Sequence, residues 1–226
     1  MKRLLTSAAL LAALTAATAS AQTRPIELGL TAGYASGLSG EVFVHAPNVA
    51  GPIGVKLSAA YTSPSDSIRD NVEITGLNSG LTLGTFGSFK SQGLATESGS
   101  HMVFGLDGTY NLGEVTPGVS ALGYAGARYG MFRATETYAD DATLSNTWTM
   151  NSFGVGAGAQ LSYALAGNLS LVGDLGVDHY FAGTLSNGTA NGTYAPGEAG
   201  YSDQRARFAF PGTVFKAKIG LKFSNF

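Results

Sequence analysis

The chain has 226 residues, of which only 12% are Asp, Glu, Lys or Arg. Ordinary soluble domains carry roughly 25%, so there is too little charge here to cover a soluble surface. Cysteine is absent, which excludes a disulfide framework and a thiolate metal site. The formal net charge of −2 leaves no basic field for nucleic acid.

Met1-Lys2-Arg3 is a positive start, Leu4 to Ala17 an apolar run, and Ala19-Ser20-Ala21 a small-x-small cleavage pattern, which together predict a signal peptide over residues 1–21. The apolar run is about 14 residues, short of the roughly 20 that a membrane-spanning helix needs. Cleavage removes Lys2 and Arg3, leaving 205 residues with 11 basic and 15 acidic side chains, a net charge of −4. Nothing after Ala21 offers a second long apolar run.

The rest of the chain, 22–226, alternates with period two, the pattern of strands whose two faces meet different surroundings. In the first strand Ile26, Leu28, Leu30, Ala32 and Tyr34 share one face, against Glu27, Gly29, Thr31 and Gly33. Val42, Val44 and Ala46 follow against Glu41, Phe43 and His45. Beyond a turn at 47–51, Ile53, Val55, Leu57, Ala59 and Tyr61 run against Gly54, Lys56, Ser58 and Ala60. Met102, Phe104, Leu106, Tyr110 and Leu112 alternate with Val103, Gly105, Asp107, Thr109 and Asn111. The strand over 118–133 has a weaker phase; facing Ala121, Ala125, Ala127, Tyr129 and Met131 outward turns Arg128 inward. Phe153 to Leu165 gives the clearest alternation. Leu169, Leu171, Leu175 and Val177 oppose Ser170, Asp174, Gly176 and Asp178, and finally Phe215, Ala217, Ile219, Leu221 and Phe223 oppose Lys216, Lys218, Gly220 and Lys222. The count is eight strands.

Turns near 47–51, 113–117 and 166–168 are short, whereas the connections near 62–99, 134–148 and 182–212 are long. This parity is that of an outer-membrane barrel with short periplasmic turns and long outside loops. The apolar face is continuous, and the other is mostly Gly, Ser, Thr and Ala with isolated charges. Aromatics stand at both ends of the apolar face: Tyr34, Tyr61, Tyr129, Phe153, Phe181 and Phe215 at the loop end, Tyr110, Tyr163 and Phe223 at the turn end. From Phe153 to Tyr163, ten steps at about 3.3 Å and a tilt near 45° span roughly 23 Å of membrane normal. The predicted fold is all-β, an eight-stranded antiparallel up-and-down transmembrane β-barrel.

In this architecture, its leader and its aromatic C-terminus, the chain resembles the small eight-stranded outer-membrane proteins of the OmpA, OmpX and OmpW type. The resemblance implies residence in the bacterial outer membrane, contact with outer-membrane lipid and insertion by the barrel assembly machinery. It departs in one respect: Phe226 shares parity with Lys218 and Lys222, so the in-phase terminal aromatic is Phe223.

The inward face carries Glu27, Glu41, Asp107, Asp174 and Asp178 against Lys56, Arg128, Lys216, Lys218 and Lys222. Five charges of each sign predict internal pairing: Glu41 with Lys56, Asp174 and Asp178 with Lys216 and Lys218, and Glu27 with Lys222 on closure. Eight strands leave room only for side chains, which argues against a diffusion pore.

No catalytic, metal or cofactor residue is assigned. Lipid-modifying enzymes occur on barrels of this size, and Asp66-Ser67 with His101 is the set that a general-base mechanism would use, against a hydrophilic turn and a rim histidine. Glu136 with Asp140-Asp141 reads as a solvated acidic loop or a site for a hard cation. Arg69, Arg133, Arg205 and Arg207 lie in or near loops, where they could meet phosphates or glycans. Asn187-Gly188-Thr189 and Asn191-Gly192-Thr193 are turn or glycosylation signals. Leu77, Leu81, Leu83, Phe86 and Phe89 are too apolar for a solvated tip, and predict an extra hairpin, a fold over the mouth or a contact with a neighbour. The expected role is structural or interactive: loops that contact a larger surface or envelope protein complex, such as surface-layer components. The alternatives are a narrow channel for ions or small solutes and, in third place, a lipid-modifying enzyme.

Overall fold

The computed structural model describes residues 26–75, 81–139, 141–189 and 192–224. The leader, Leu77 and Phe226 lie outside them. The strands are β1 (Glu27–Ala35), β2 (Gly37–Ala50), β3 (Ile53–Pro64), β4 (Glu73–Thr75), β5 (Thr82–Thr85), β6 (Ala95–Thr116), β7 (Val119–Tyr138), β8 (Asp141–Ala166), β9 (Leu169–Tyr180), β10 (Thr184–Ser186), β11 (Thr193–Tyr194) and β12 (Thr213–Ser224). Two short helices are α1 (Phe86–Ser91) and α2 (Tyr201–Arg207).

Among the described residues, β1, β2, β3, β6, β7, β8, β9 and β12 form the antiparallel ring, closed by the β1–β12 pairing from Glu27↔Ser224 to Ala35↔Lys216. The chain is therefore an eight-stranded up-and-down transmembrane barrel. Its outer face is apolar because lipid, not water, is its solvent: Leu30, Val42, Phe153, Leu175, Phe215 and Ile219 are all more than half exposed. In β7, Ala125, Ala127, Tyr129 and Met131 alternate with the buried Tyr124, Arg128 and Phe132. Ala121 shares the outward parity but is buried, its pairing partner being Leu161.

The wall is uneven. At the loop end β1 and β2 meet in a corner at Ser36, whose φ is 57°, and Gly37 packs where a Cβ would collide with the Ser63 carbonyl. Opposite this low wall β6, β7 and β8 run on beyond the aromatic girdle. β10 adds to β8 through Leu185↔Met150, and β11 adds to β10.

These extensions correct the expected loops. The 134–148 segment is not a loop: β7 reaches Tyr138 and β8 starts at Asp141, paired from Phe132↔Met150 to Tyr138↔Asp141. The turn-end segments expected at 47–51 and 113–117 are likewise mostly strand, with a register shift between Ala46 and Ala50 and turns at Gly51-Pro52 and Pro117-Gly118. The 62–99 connection holds the β4–β5 hairpin and α1, while 182–212 holds β10, β11 and α2. Thr85 caps α1 by a reciprocal exchange with Ser88.

Candidate functional site

The barrel bore is a column of paired charges. At its turn end Lys222 Nζ lies 3.0 Å from Glu27 Oε1, while His45 Nδ1 and Nε2 contact Glu27 (2.7 Å) and Thr109 Oγ1 (2.9 Å). Above this, Lys56, 2% exposed, reaches Glu41 at 3.5 Å and Asp174 at 3.4 Å, with its ammonium 4.5 Å from the centre of the Tyr124 ring. Tyr124 donates its hydroxyl to Asp174 at 2.7 Å. Higher still, Arg128 donates from Nη1 to Asp107 (2.6 Å) and from Nε to Asp178 (2.8 Å), and Lys216 joins Asp178 at 2.9 Å. All ten predicted interior charges therefore face the bore.

Two inferred pairings are corrected: Asp174 takes neither Lys216 nor Lys218 but Lys56. Lys218 does not take Asp178; it reaches Glu41 at 2.7 Å. Lys218 stands opposite Asp174 in the ladder, but Asp174 is already held by Tyr124 and Lys56. Gly33, its partner on the other side, carries no side chain to block the route to β2.

Glycine makes this column possible. A Cβ at Gly29 would overlap the Phe43 ring, one at Gly156 would strike Asp178 and lie 2.7 Å from the Arg128 guanidinium, and ones at Gly158 and Gly176 would meet the Tyr124 hydroxyl. The abundant glycines on the inward face are thus the space into which the large polar side chains fold. Sequence reasoning misses Tyr124 as a functional residue, although its parity with Arg128 marks it as inward.

Above the column lies a cap with an apolar core. Phe132, Ala134, Trp148, Met150, Leu185, Ile68, Phe86, Phe208 and Phe210 are buried together, with Phe89 packed against them. An Ile68↔Phe208 bridge joins the first long loop to the last, flanked by Arg69 N–H to Arg207 O (3.0 Å) and Ala209 N–H to Ser67 O (2.9 Å). Between column and cap is a cavity of about 30 Å³, bordered by Arg128, Asp178, His101 and Phe132, enough for about one water.

The cap also revises several loop assignments. Phe86 and Phe89 are core and packing residues, whereas Leu81 and Leu83 are exposed. Glu136 is not in a solvated acidic loop: it is buried on β7 in a forked ion pair with Arg207, at 2.8 to 3.1 Å. Asp140 lies outside the described residues. Ser67 and His101 are both buried, but no hydrogen bond joins them; His101 packs edge-on against Phe132 with ring centres 5.1 Å apart.

Beside the cap, Asp66, Asp70 and Glu97 surround the Lys90 ammonium at 3.8, 3.0 and 2.5 Å. The Glu97 hydrogen bond, then that of Asp70, raises the Lys90 pKa. Burial pushes Glu97 up, but Lys90 and the N–H groups of Ile68 and Ser67 outweigh it and hold the carboxyl below its ordinary value. Burial and the Glu97 charge raise Asp66. The three carboxylates are thus already served by a cation of the chain itself.

No family model and no curated protein matches the sequence. Among solved structures the chain is similar to a major outer membrane protein from Thermus thermophilus, with 30% identity, a TM-score of 0.74, and coverage of 88% of this chain and 98% of that one. It is also similar to the N-terminal β-barrel domain of Pseudomonas aeruginosa OprF (13% identity, TM-score 0.44, covering 89% and 97%) and to the attachment invasion locus protein Ail of Yersinia pestis (13%, 0.43, covering 88% and 96%).

Proposed function

We propose, for a chain that belongs to the family of the major outer membrane protein of Thermus thermophilus, a non-enzymatic structural role: a membrane anchor that presents a rigid cap to other components of the cell surface. The observation that carries this reading is the filled interior. The five acidic and five basic side chains of the bore engage one another, and the cap core closes the loop end. What remains available outside the membrane is the cap surface and the face of the β6–β7–β8 extension. An enzyme reading finds no joined nucleophile and base in Ser67 and His101. Export with cleavage after Ala21 and insertion by the barrel assembly machinery belong to the same proposal, and the mass of the mature chain tests the cleavage.

The deciding experiment is the native mass and composition of the protein extracted from its own membrane in mild detergent. Fixed stoichiometry with a larger envelope protein supports the role, and substitution of Leu81 and Leu83 should then weaken that contact. Emergence of the chain alone counts against it.

A narrow polar path is the second reading. It is favoured by Thr31 Oγ1, Asp107 Oδ2 and Gln160 Nε2, buried polar atoms in the bore with no protein partner, which give water places to bind. Conductance of the reconstituted protein above that of the bare bilayer would favour this path over the closed anchor.

A further inference from the structure

We infer that Arg69 and Arg205 form a binding site for a phosphate group at the outer rim of the low wall, the lipid headgroup being its natural source. The four loop arginines, alike in sequence, are unlike in the fold. Arg207 is committed to Glu136. Arg133 stands on the outer face of the high wall, opposite Ser100 and Thr149. Arg69 and Arg205 have no carboxylate within ion-pair distance among the described residues. Asp66 and Asp70, the acids nearest Arg69 in sequence, are turned to Lys90, and the exposed Asp203 on α2 enters no ion pair among the described residues.

The backbone holds the two cations on one side of the molecule. The Ile68↔Phe208 bridge and the Arg69 N–H bond to Arg207 O set the first loop against the end of α2. Arg205 donates from Nη1 to Phe210 O (2.6 Å) and from Nη2 to Pro211 O (3.4 Å), which fixes its guanidinium two residues before β12 begins at Thr213. The first loop rests on the low wall through Ser65 N–H to Ser36 O (3.1 Å), and Arg69 follows four residues later. The wall below ends in the outward Tyr34, Leu38 and Phe215, the level at which apolar chains give way to headgroups. Burial works against the Arg205 cation and the Arg69 charge opposes it too, while the neighbouring Tyr201 hydroxyl favours it as a neutral polar group. Two like charges held together without a counter-ion are relieved by an anion, and guanidinium donors match phosphate oxygens.

The test uses the folded chain in neutral detergent doped with dioleoylphosphatidic acid, or with dioleoylglycerol as the uncharged control, and reads bound lipid by native mass spectrometry. A parallel titration uses inorganic phosphate. Arg69→Gln removes no described side-chain contact and should lower phosphatidic acid retention by about tenfold, the worth of a charged hydrogen bond, with dioleoylglycerol retention unchanged. Arg133→Gln should retain lipid like the parent. Arg205→Lys, which keeps the charge but not the fork, should fall between, with cap integrity checked by proteolysis. Millimolar inorganic phosphate that binds in an Arg69-dependent way would identify free phosphate as the source, and no such binding leaves the lipid. If Arg69→Gln retains phosphatidic acid as the parent does and binds inorganic phosphate equally well, the site does not exist.

Discussion

Bore and cap are built by the same strands, yet they are opposites. On β7 the inward series runs Tyr124, Arg128, then Phe132 and Ala134, while the outward series runs Ala127, Tyr129, Met131, then Arg133, Thr135 and Thr137. On β8 the inward Gly158 and Gly156 give way to Met150 and Trp148, and the outward Phe153 to Asn151, Thr149 and Thr147. The parity never slips; the polarity of the two faces exchanges where the wall leaves the membrane. Within lipid, burying an apolar side chain in the bore gains nothing, because the outside is equally apolar, so the bore is bound by charge and hydrogen bonds. Above the membrane water is outside, and the ordinary drive to bury apolar surface returns.

The contrast is broken most severely at Gly156. Gly156→Val places its side chain into the Arg128–Asp178 pair, and we expect no folded barrel, read as loss of the heat-modifiable shift on gels. Arg128→Met should be next, costing about 3–5 kcal/mol because Asp107 is left buried without its cation. Adding Asp107→Asn should recover much of this in urea unfolding from liposomes, and a double variant no better than the single would show that the charge pair is not what binds the bore. Phe208→Ala should cost about 3 kcal/mol, but within the cap alone, so proteolysis of the loops accelerates while the barrel still shifts on gels.

Acid should act on the cap in a milder way. Glu97 is held below its ordinary value of 4.5 by Lys90 and two backbone N–H groups, against the effect of burial. A lowered carboxyl contributes stability above that value and loses it as pH falls through the lower folded one. Loop proteolysis at neutral pH and below 4.5 should therefore differ in the parent and much less in Glu97→Gln. The smallest effect is expected from deleting the segment 66–93, which carries Ile68 and Phe86 of the cap core: the charge column remains, so conductance should stay at the level of the bare bilayer. Ion flow in that deletion would mean that the cap, not the bore, is the seal.

Which parts of this are legible in the sequence follows from the same exchange. The outward series from Leu28 to Phe223, the aromatic girdles and the balanced charges can be read because apolar residues alternate at period two throughout the membrane. The 134–148 extension reads as a loop because the apolar series stops outside the girdle. It has moved to the other face, where Phe132, Ala134, Trp148 and Met150 continue the alternation. Glu136 is misplaced by the sequence for a related reason: the Arg207 contact that buries it joins segments far apart in the chain. For Phe86 the sequence leaves three arrangements open, and the cluster with Ile68 and Phe208 selects the fold over the mouth.

By itself the sequence determined the barrel, its strand number and which side chains face lipid, since these depend on local period and on a solvent that rewards one face. Only the tertiary structure decided the partners within the bore, as when Lys218 passes its ladder neighbour for Glu41 across Gly33. It alone also decided that the loops interlock into a cap and that Arg69 and Arg205, unlike Arg207, stay without a carboxylate among the described residues. Long charged side chains choose partners by reach and vacancy across several strands, and neither is written in the spacing of one.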